Sequence, residues 1–256
     1  MSPGKIDDPV EASFEAWPEE TENLGRKCGE LALTFEGFSF TPAAVAKILR
    51  DQFATPKRVA RIEYLLNGVR LGFQYAISQA ATDRERLKEI EEKLKSAHFS
   101  EAVSIACEEA VRATNHKKID RLRSVLVGSL GTSAWGAGNE DVAAMIRDIA
   151  QLAERDIDVL GVLNSVHSSA IAHAPNLNNS DSFSRETPAL KRAVAKSGIH
   201  PDDFLSTCER LRGFGLAAEV LRNTSHMGPE DFCYRPTRRG LVLLDYLKSF
   251  PGVSGE

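Results

Sequence analysis

A regular spacing of apolar residues between Val59 and Ala97 constrains the fold of this chain more than any other feature of its sequence. Apolar side chains recur there at alternating intervals of three and four residues, and one polar residue, Asp83, interrupts them. This spacing places apolar side chains along one face of a helix and is typical of helices that pack lengthwise. We expect a helical seam whose charged second part, residues 84–95, projects as a coiled-coil arm. The seam residues are Val59, Ile62, Leu66, Val69, Phe73, Ala76, Ala80, Leu87, Ile90, Leu94 and Ala97.

The residues that follow predict two helices that return along this seam. Ser100 is a suitable N-cap for the first helix, whose apolar face consists mostly of small alanines. Alanines opposite larger side chains let two helices approach closely. The second helix covers about 115–130, and its bases are expected to lie on a solvated surface: Lys117, Lys118, Arg121 and Arg123. These helices predict a long antiparallel helical hairpin or bundle within residues 41–153.

The composition favours helix packing and a cytoplasmic location. Aromatic residues make up 7% of the chain and hydrophobic residues 42%, which fits a mainly all-α protein better than a β-sandwich. No run approaches the roughly 18 apolar residues of a membrane helix, and the acidic N-terminus does not resemble a signal peptide. Four separated cysteines, with no CxxC pair, are expected to be reduced thiols: Cys28, Cys107, Cys208 and Cys233.

Charge is distributed unevenly along the chain. Residues 1–37 contain nine acids and three bases, a net charge of −6, while the whole chain carries −4, so residues 38–256 carry +2. This balance gives no overall attraction to nucleic acid. Two interpretations of the leader, residues 1–40, remain open. It is either a partly disordered acidic segment, or a clip whose Phe14 and Trp17 dock on the body of the protein or on a partner.

The order of elements from about residue 154 onward is distinctive. Turn-forming residues separate three helical patterns from two short β patterns and a final helix. In chain order, we expect a helix over 156–169, a polar loop over 174–184, helices over 188–196 and 201–214, a strand over 216–221, a turn-rich tip over 223–231, a strand over 232–235 and a helix opened by Thr237-Arg-Arg-Gly240.

This order resembles the winged helix-turn-helix of bacterial transcription regulators of the MarR or ArsR type. The most specific part is the run "LRGFGLAAEVLRN", followed after the tip by "YRPTRRGLVLLDYL" with its Thr-x-x-Gly helix start. The resemblance covers about residues 154–250, and the rest of the chain looks broadly like uncharacterised bacterial helical proteins. The resemblance implies that 201–214 is the recognition helix and 223–231 the wing.

A DNA-binding function would require bases on this module. The candidate nucleic-acid contacts are Arg210, Arg212, Arg222, Arg235, Arg238 and Arg239. The expected recognition helix instead begins with Asp202 and Asp203, and the wing carries Glu230 and Asp231. These carboxylates repel phosphates, so the sequence favours packing against protein over contact with double-stranded DNA.

Motifs for catalysis or metal binding are not found in this sequence. His167 lies near several serines, but no G-x-S-x-G motif accompanies it. Cys208 and Cys233 could meet in space with His200 or His226 nearby, which is a weak pattern for zinc. We therefore expect no catalytic residues, no metal and no cofactor, and predict that the protein is not an enzyme.

The sequence thus predicts four segments and only a broad class of function. The segments are the leader 1–40, a helical domain 41–153, a winged-helix-like domain 154–250 and a tail 251–256. The expected function is that of a non-enzymatic interaction or regulatory protein, homodimeric through its helices and with a possible protein partner. The alternative is a DNA-binding transcriptional regulator that uses the C-terminal module.

Overall fold

The computed structural model describes residues 56–131, 142–173, 179–220 and 233–248, together with the backbone of two strands near the N-terminus. These strands, β1 (Thr34–Phe35) and β2 (Phe38–Ser39), pair antiparallel. The first residues of the expected helical domain, 41–55, lie outside the described residues. Within the described ranges the chain is mainly helical, as the sequence predicts.

The helices group into two compact units that divide between residues 151 and 152, and residues 246–248, the end of the last described helix, belong with the first. The helices of the first unit are α1 (Pro56–Ala80), α2 (Arg84–Lys95), α3 (Ala97–Arg112), α4 (His116–Gly128) and α5 (Val142–Gln151). The second unit contains α6 (Glu154–His173), α7 (Asn179–Ser197), α8 (Pro201–Gly213), β3 (Ala217–Glu219), β4 (Tyr234–Pro236) and most of α9 (Arg238–Lys248).

The seam is divided at Asp83, and the expectation of one continuous projecting arm is wrong. Asp83 has extended backbone angles and its carboxylate accepts a hydrogen bond from the Arg86 amide at 3.1 Å. A short acidic side chain satisfies the unpaired amides of a helix start better than it fits a helix interior. The chain therefore starts a new helix, α2, which packs against α1 and α3 through Ile90 and Leu94.

The first unit is a helical bundle, and contacts between side chains show which of its helices are parallel and which are antiparallel. Arg61 donates to the Val111 carbonyl at 2.9 Å, and the rings of Phe73 and Phe99 lie 5.7 Å apart. Because the pairing runs backwards along α3, α1 and α3 are antiparallel, as the predicted hairpin requires. Helix α4 runs parallel to α1, so the expectation that this second helix also returns antiparallel along the seam is wrong. Tyr64 donates to Asp120 at 2.9 Å, and the contacts of Gly68 and Gly72 follow further along both helices.

Two glycines let α1 and α4 pack closely. A Cβ at Gly72 would lie 2.4 Å from a Val127 methyl, and one at Gly68 would lie 2.3 Å from the Arg123 side chain. Arg123 is buried and its guanidinium lies 3.1 Å from the Asp120 carboxylate. The expectation that Arg123 belongs to a solvated surface is therefore wrong, because its aliphatic stem fills the space that Gly68 leaves.

The apolar seam of α1 is buried within this one chain. Ile62, Leu66, Val69 and Phe73 are each no more than 3% exposed. The same helix exposes Leu71 on its other face, at 48%. Intramolecular helix packing thus satisfies the pattern that predicted a long seam.

The second unit is built around α6, which packs against α7, α8 and β4. Strands β3 and β4 form an antiparallel pair in which Ala218 faces Arg235. Helix α7 begins at Asn179, so the part of the expected polar loop from residue 179 onward is helical. The turn-rich tip over 223–231 lies outside the described residues.

The Thr-x-x-Gly motif joins α9 to the end of α8. Gly215, at φ +69°, ends α8 by letting the Leu216 amide donate to the Leu211 carbonyl at 2.9 Å. Thr237 donates through its hydroxyl to the Gly215 carbonyl at 2.6 Å and accepts from the Gly240 amide at 3.1 Å. A Cβ at Gly240 would lie 2.2 Å from the Leu216 carbonyl oxygen, so this approach requires glycine.

Among the described helices, none combines the length and the apolar character needed to span a bilayer.

Candidate functional site

Two ion pairs connect the first turn of α6 to α8. In one the base is on α6, and in the other the base is on α8. Arg155 lies 2.9 Å from the Asp203 carboxylate, and the adjacent Asp156 accepts two hydrogen bonds from the Arg210 guanidinium, one of them at 3.0 Å from Nε. Asp156 is 1% exposed and also accepts from the Ala153 amide at 2.7 Å. Arg210, expected as a DNA contact, is therefore engaged by a buried carboxylate.

Arg212 is also surrounded by carboxylates. Its guanidinium lies 3.3 Å from Glu209 and 3.7 Å from Glu219. The Tyr234 hydroxyl donates to the same Glu209, and burial together with this carboxylate raises the pKa of Tyr234. The C-terminal end of α8 thus presents a network with two acids and one base.

The remaining candidate arginines lie near the start of α9. Arg235 is exposed on β4, Arg238 is exposed at the first position of α9, and Arg239 is half-buried. Arg222 lies outside the described residues. The structure therefore separates the five described candidates into a pair on α8 whose charges are met by carboxylates and a group of three at the junction of β4 and α9.

The start of α8 is acidic, as its sequence indicates. The Asp202 side chain is 92% exposed, and His200 Nδ1 lies 3.7 Å from its carboxylate. A negative charge at this helix start interacts favourably with the helix dipole and so stabilises α8, but it repels phosphate groups.

Cys208 and Cys233 are both buried in the second unit, and Cys233 is close enough to contribute to a raised pKa of Cys208. Burial raises the pKa of each thiol to about 12, with nearby acids adding to the shift. His226 lies outside the described residues, and His200 pairs with Asp202. In the part of the chain described, no three His, Cys, Asp or Glu side chains are arranged to bind a metal ion.

A buried glutamate, which sequence reasoning missed, lies between a histidine and a cysteine. Glu186, 3% exposed, lies 3.1 Å from His167 Nδ1 and accepts from the Cys233 thiol at 3.7 Å. Burial and the neighbouring Glu186 carboxylate raise the pKa of the Cys233 thiol to about 12, which opposes formation of a reactive thiolate. The arrangement connects α6, α7 and the start of β4. The three residues are widely separated along the chain, and no local pattern marks them.

An apolar groove lies between α7 and α8. Its volume is about 660 Å³, and the aromatic ring of Tyr234 contributes to its lining. This volume is within the range of pockets that bind small molecules or peptide side chains. Helices α7 and α8 both pack against α6. The groove lies between them and is lined by residues of both helices.

No protein-family model matches this chain, and no curated protein or solved structure shows significant similarity to it. Inferences about function therefore depend on the charges, contacts and cavities of its own residues.

Proposed function

We propose that this protein is a non-enzymatic interaction or regulatory protein, in which a helical scaffold carries a winged-helix-like module that binds another protein. The order of α6, α7, α8, an antiparallel strand pair and α9 fits such a module. The observation that carries the proposal is the pairing of both α8 arginines with carboxylates of their own unit.

The physical reason is competition between carboxylates and phosphates for the same cations. An arginine contributes to DNA affinity by replacing counterions on the phosphate backbone. Arg210 would have to leave Asp156, and an unpaired buried carboxylate is costly. The exposed carboxylate of Asp202 adds repulsion at the opposite end of α8.

A DNA mobility-shift assay tests this proposal. The full chain is titrated against random-sequence duplex DNA at about 0.05 M and about 0.15 M salt, since electrostatic binding falls steeply between these concentrations. We expect no salt-sensitive shift. A clear shift at the higher salt would contradict the proposal.

The second candidate is a DNA-binding transcriptional regulator, and exposed arginines near the start of α9 favour it. If Arg235 and Arg238 contact phosphates, their joint replacement by Glu should weaken binding to every sequence. The salt slope should also fall by about one unit per lost contact. Lys88→Glu, at an exposed lysine of the first unit, is the matched control. A shift abolished by the double substitution alone would establish this candidate.

A further inference from the structure

The outward face of α7 carries three bases in one line, which we call the α7 stripe. Arg185, Arg192 and Lys196 are exposed, and their spacing of seven and four residues places them on the same side of the helix. Eleven residue steps of helix extend about 16 Å. Glu186 and Leu190 are buried on the opposite side of α7. The stripe therefore faces away from the interior of the second unit.

The charges of the α7 stripe are not met by acids in the part of the chain that the structure describes. None of its three bases forms an ion pair there, whereas Arg155, Arg210 and Arg212 of the same unit each contact a carboxylate. Among the described side chains of α7 the one acid is Glu186, which is buried against His167. The stripe is thus a local positive surface on a chain whose net charge is −4.

Small side chains lie beside the α7 stripe. Pro188 is exposed, and Ala189 and Ala193 are partly exposed, on the outward half of the helix. Short side chains between long bases let another segment approach the helix closely. The surface can therefore accept a narrow partner along its length.

Two kinds of polyanion are attracted by such a surface, an acidic protein segment and duplex DNA. Duplex DNA carries about one negative charge per 1.7 Å of its axis, so about 16 Å of duplex presents about ten charges. The stripe supplies three bases, and the exposed carboxylate of Asp202 follows only six residues after Lys196. Three carboxylates of a protein segment match the stripe one to one, so the charge balance favours a protein partner.

We propose that the α7 stripe binds an acidic segment of a protein partner, in which three carboxylates are spread over about 16 Å. This assignment rests on the proposed interaction function and specifies the surface and the chemistry of the partner. Exposed ion pairs are individually weak and are screened by salt. The binding is therefore weak and depends on ionic strength.

The test is fluorescence anisotropy of a labelled peptide of about ten glutamates, titrated with the full chain. The chain is negative overall, so binding of this peptide requires a local basic surface. We expect binding at about 0.05 M salt that weakens at about 0.15 M. Arg192→Glu combined with Lys196→Glu should lower the affinity about tenfold or more, because two attractions become repulsions.

Lys88→Glu combined with Lys95→Glu is the matched control. It makes the same change of charge on the first unit, at exposed lysines that pair with glutamates of their own helix, and should change peptide affinity less than about twofold. Circular dichroism checks that both double variants are folded. Absence of peptide binding at the lower salt, or equal affinity of the two double variants, would overturn the proposal.

The mobility-shift assay on the same preparation separates this proposal from the proposed function. A shift of duplex DNA at about 0.15 M salt that the Arg192 and Lys196 substitutions abolish would assign the stripe to phosphates, and would overturn both. Absence of both DNA binding and peptide binding would overturn the assignment of the stripe alone.

Discussion

At the scale of single residues, Gly240 and Gly161 differ in how much space a side chain would have. A Cβ at Gly240 would collide with the Leu216 carbonyl, whereas a Cβ at Gly161, inside α6, would have no neighbour within 4 Å. The first glycine allows two backbone segments to meet. The second has no such packing role and only lowers the helix propensity of α6.

We predict opposite effects of the same substitution at these two positions. Gly240→Ala should lower the free energy of unfolding by about 1–3 kcal/mol, because the backbone around Leu216 must move. Gly161→Ala should raise it by up to about 1 kcal/mol through helix propensity. Denaturant unfolding of both variants measures these differences. Equal destabilisation of the two would contradict the close approach at Gly240.

At the scale of elements, α6 and α8 are connected by two ion pairs that differ in burial. Asp156 is buried and satisfies both Arg210 and a backbone amide, while Asp203 and Arg155 are each about half exposed. Exposed pairs contribute little to stability because solvent screens them. Loss of a buried partner leaves polar groups unsatisfied.

The two aspartates therefore form a matched pair for mutation. Asp156→Asn should destabilise the protein by about 1–3 kcal/mol, whereas Asp203→Asn should change stability by less than about 1 kcal/mol. Thermal unfolding, at one pH and salt concentration, compares the two variants. A larger effect at Asp203 would mean that the buried ion pair is not the stabilising one.

Helix α1 offers a similar comparison between its two faces. Leu66→Asp should destabilise the bundle by several kcal/mol, because a carboxylate would be forced into a position that is 2% exposed. Leu71→Asp, on the exposed face, should remain within about 0.5 kcal/mol of the unaltered chain. Melting temperatures measure both effects. An unchanged melting temperature for Leu66→Asp would contradict the burial of the seam in the core of the bundle.

At the scale of the whole molecule, the apolar seam of α1 no longer supports the prediction of a homodimer. The apolar face that predicted a homodimer is buried against helices of the same unit. Two large apolar side chains in the described residues, Leu71 and Tyr75, are exposed. These two residues are one helical turn apart and form a single small apolar patch, and some apolar exposure is ordinary for a monomeric protein.

We therefore expect a monomer at micromolar concentration. Light scattering should give the chain mass of 28.0 kDa independently of concentration. A mass that doubles as concentration rises would restore the homodimer predicted from the sequence, through a surface other than the seam.

Helix content, several helix limits and the strand pair of the second unit could be predicted from local patterns. Apolar spacing determined which residues of α1 are buried, and Pro201 marked the start of α8, because both signals act within a few residues along the chain. The same local reading failed at Asp83, where capping outweighed the continuing apolar period.

The candidate site depends on contacts that local patterns do not encode. Asp156 and Arg210 are 54 residues apart, and Glu186 and Cys233 are 47 apart. Sequence alone identified Arg210 and Arg212 as available bases, because charge is a property of the residue. Only the tertiary structure decided that carboxylates neutralise them and that a groove separates α7 from α8, since ion pairs and cavities depend on how distant segments pack.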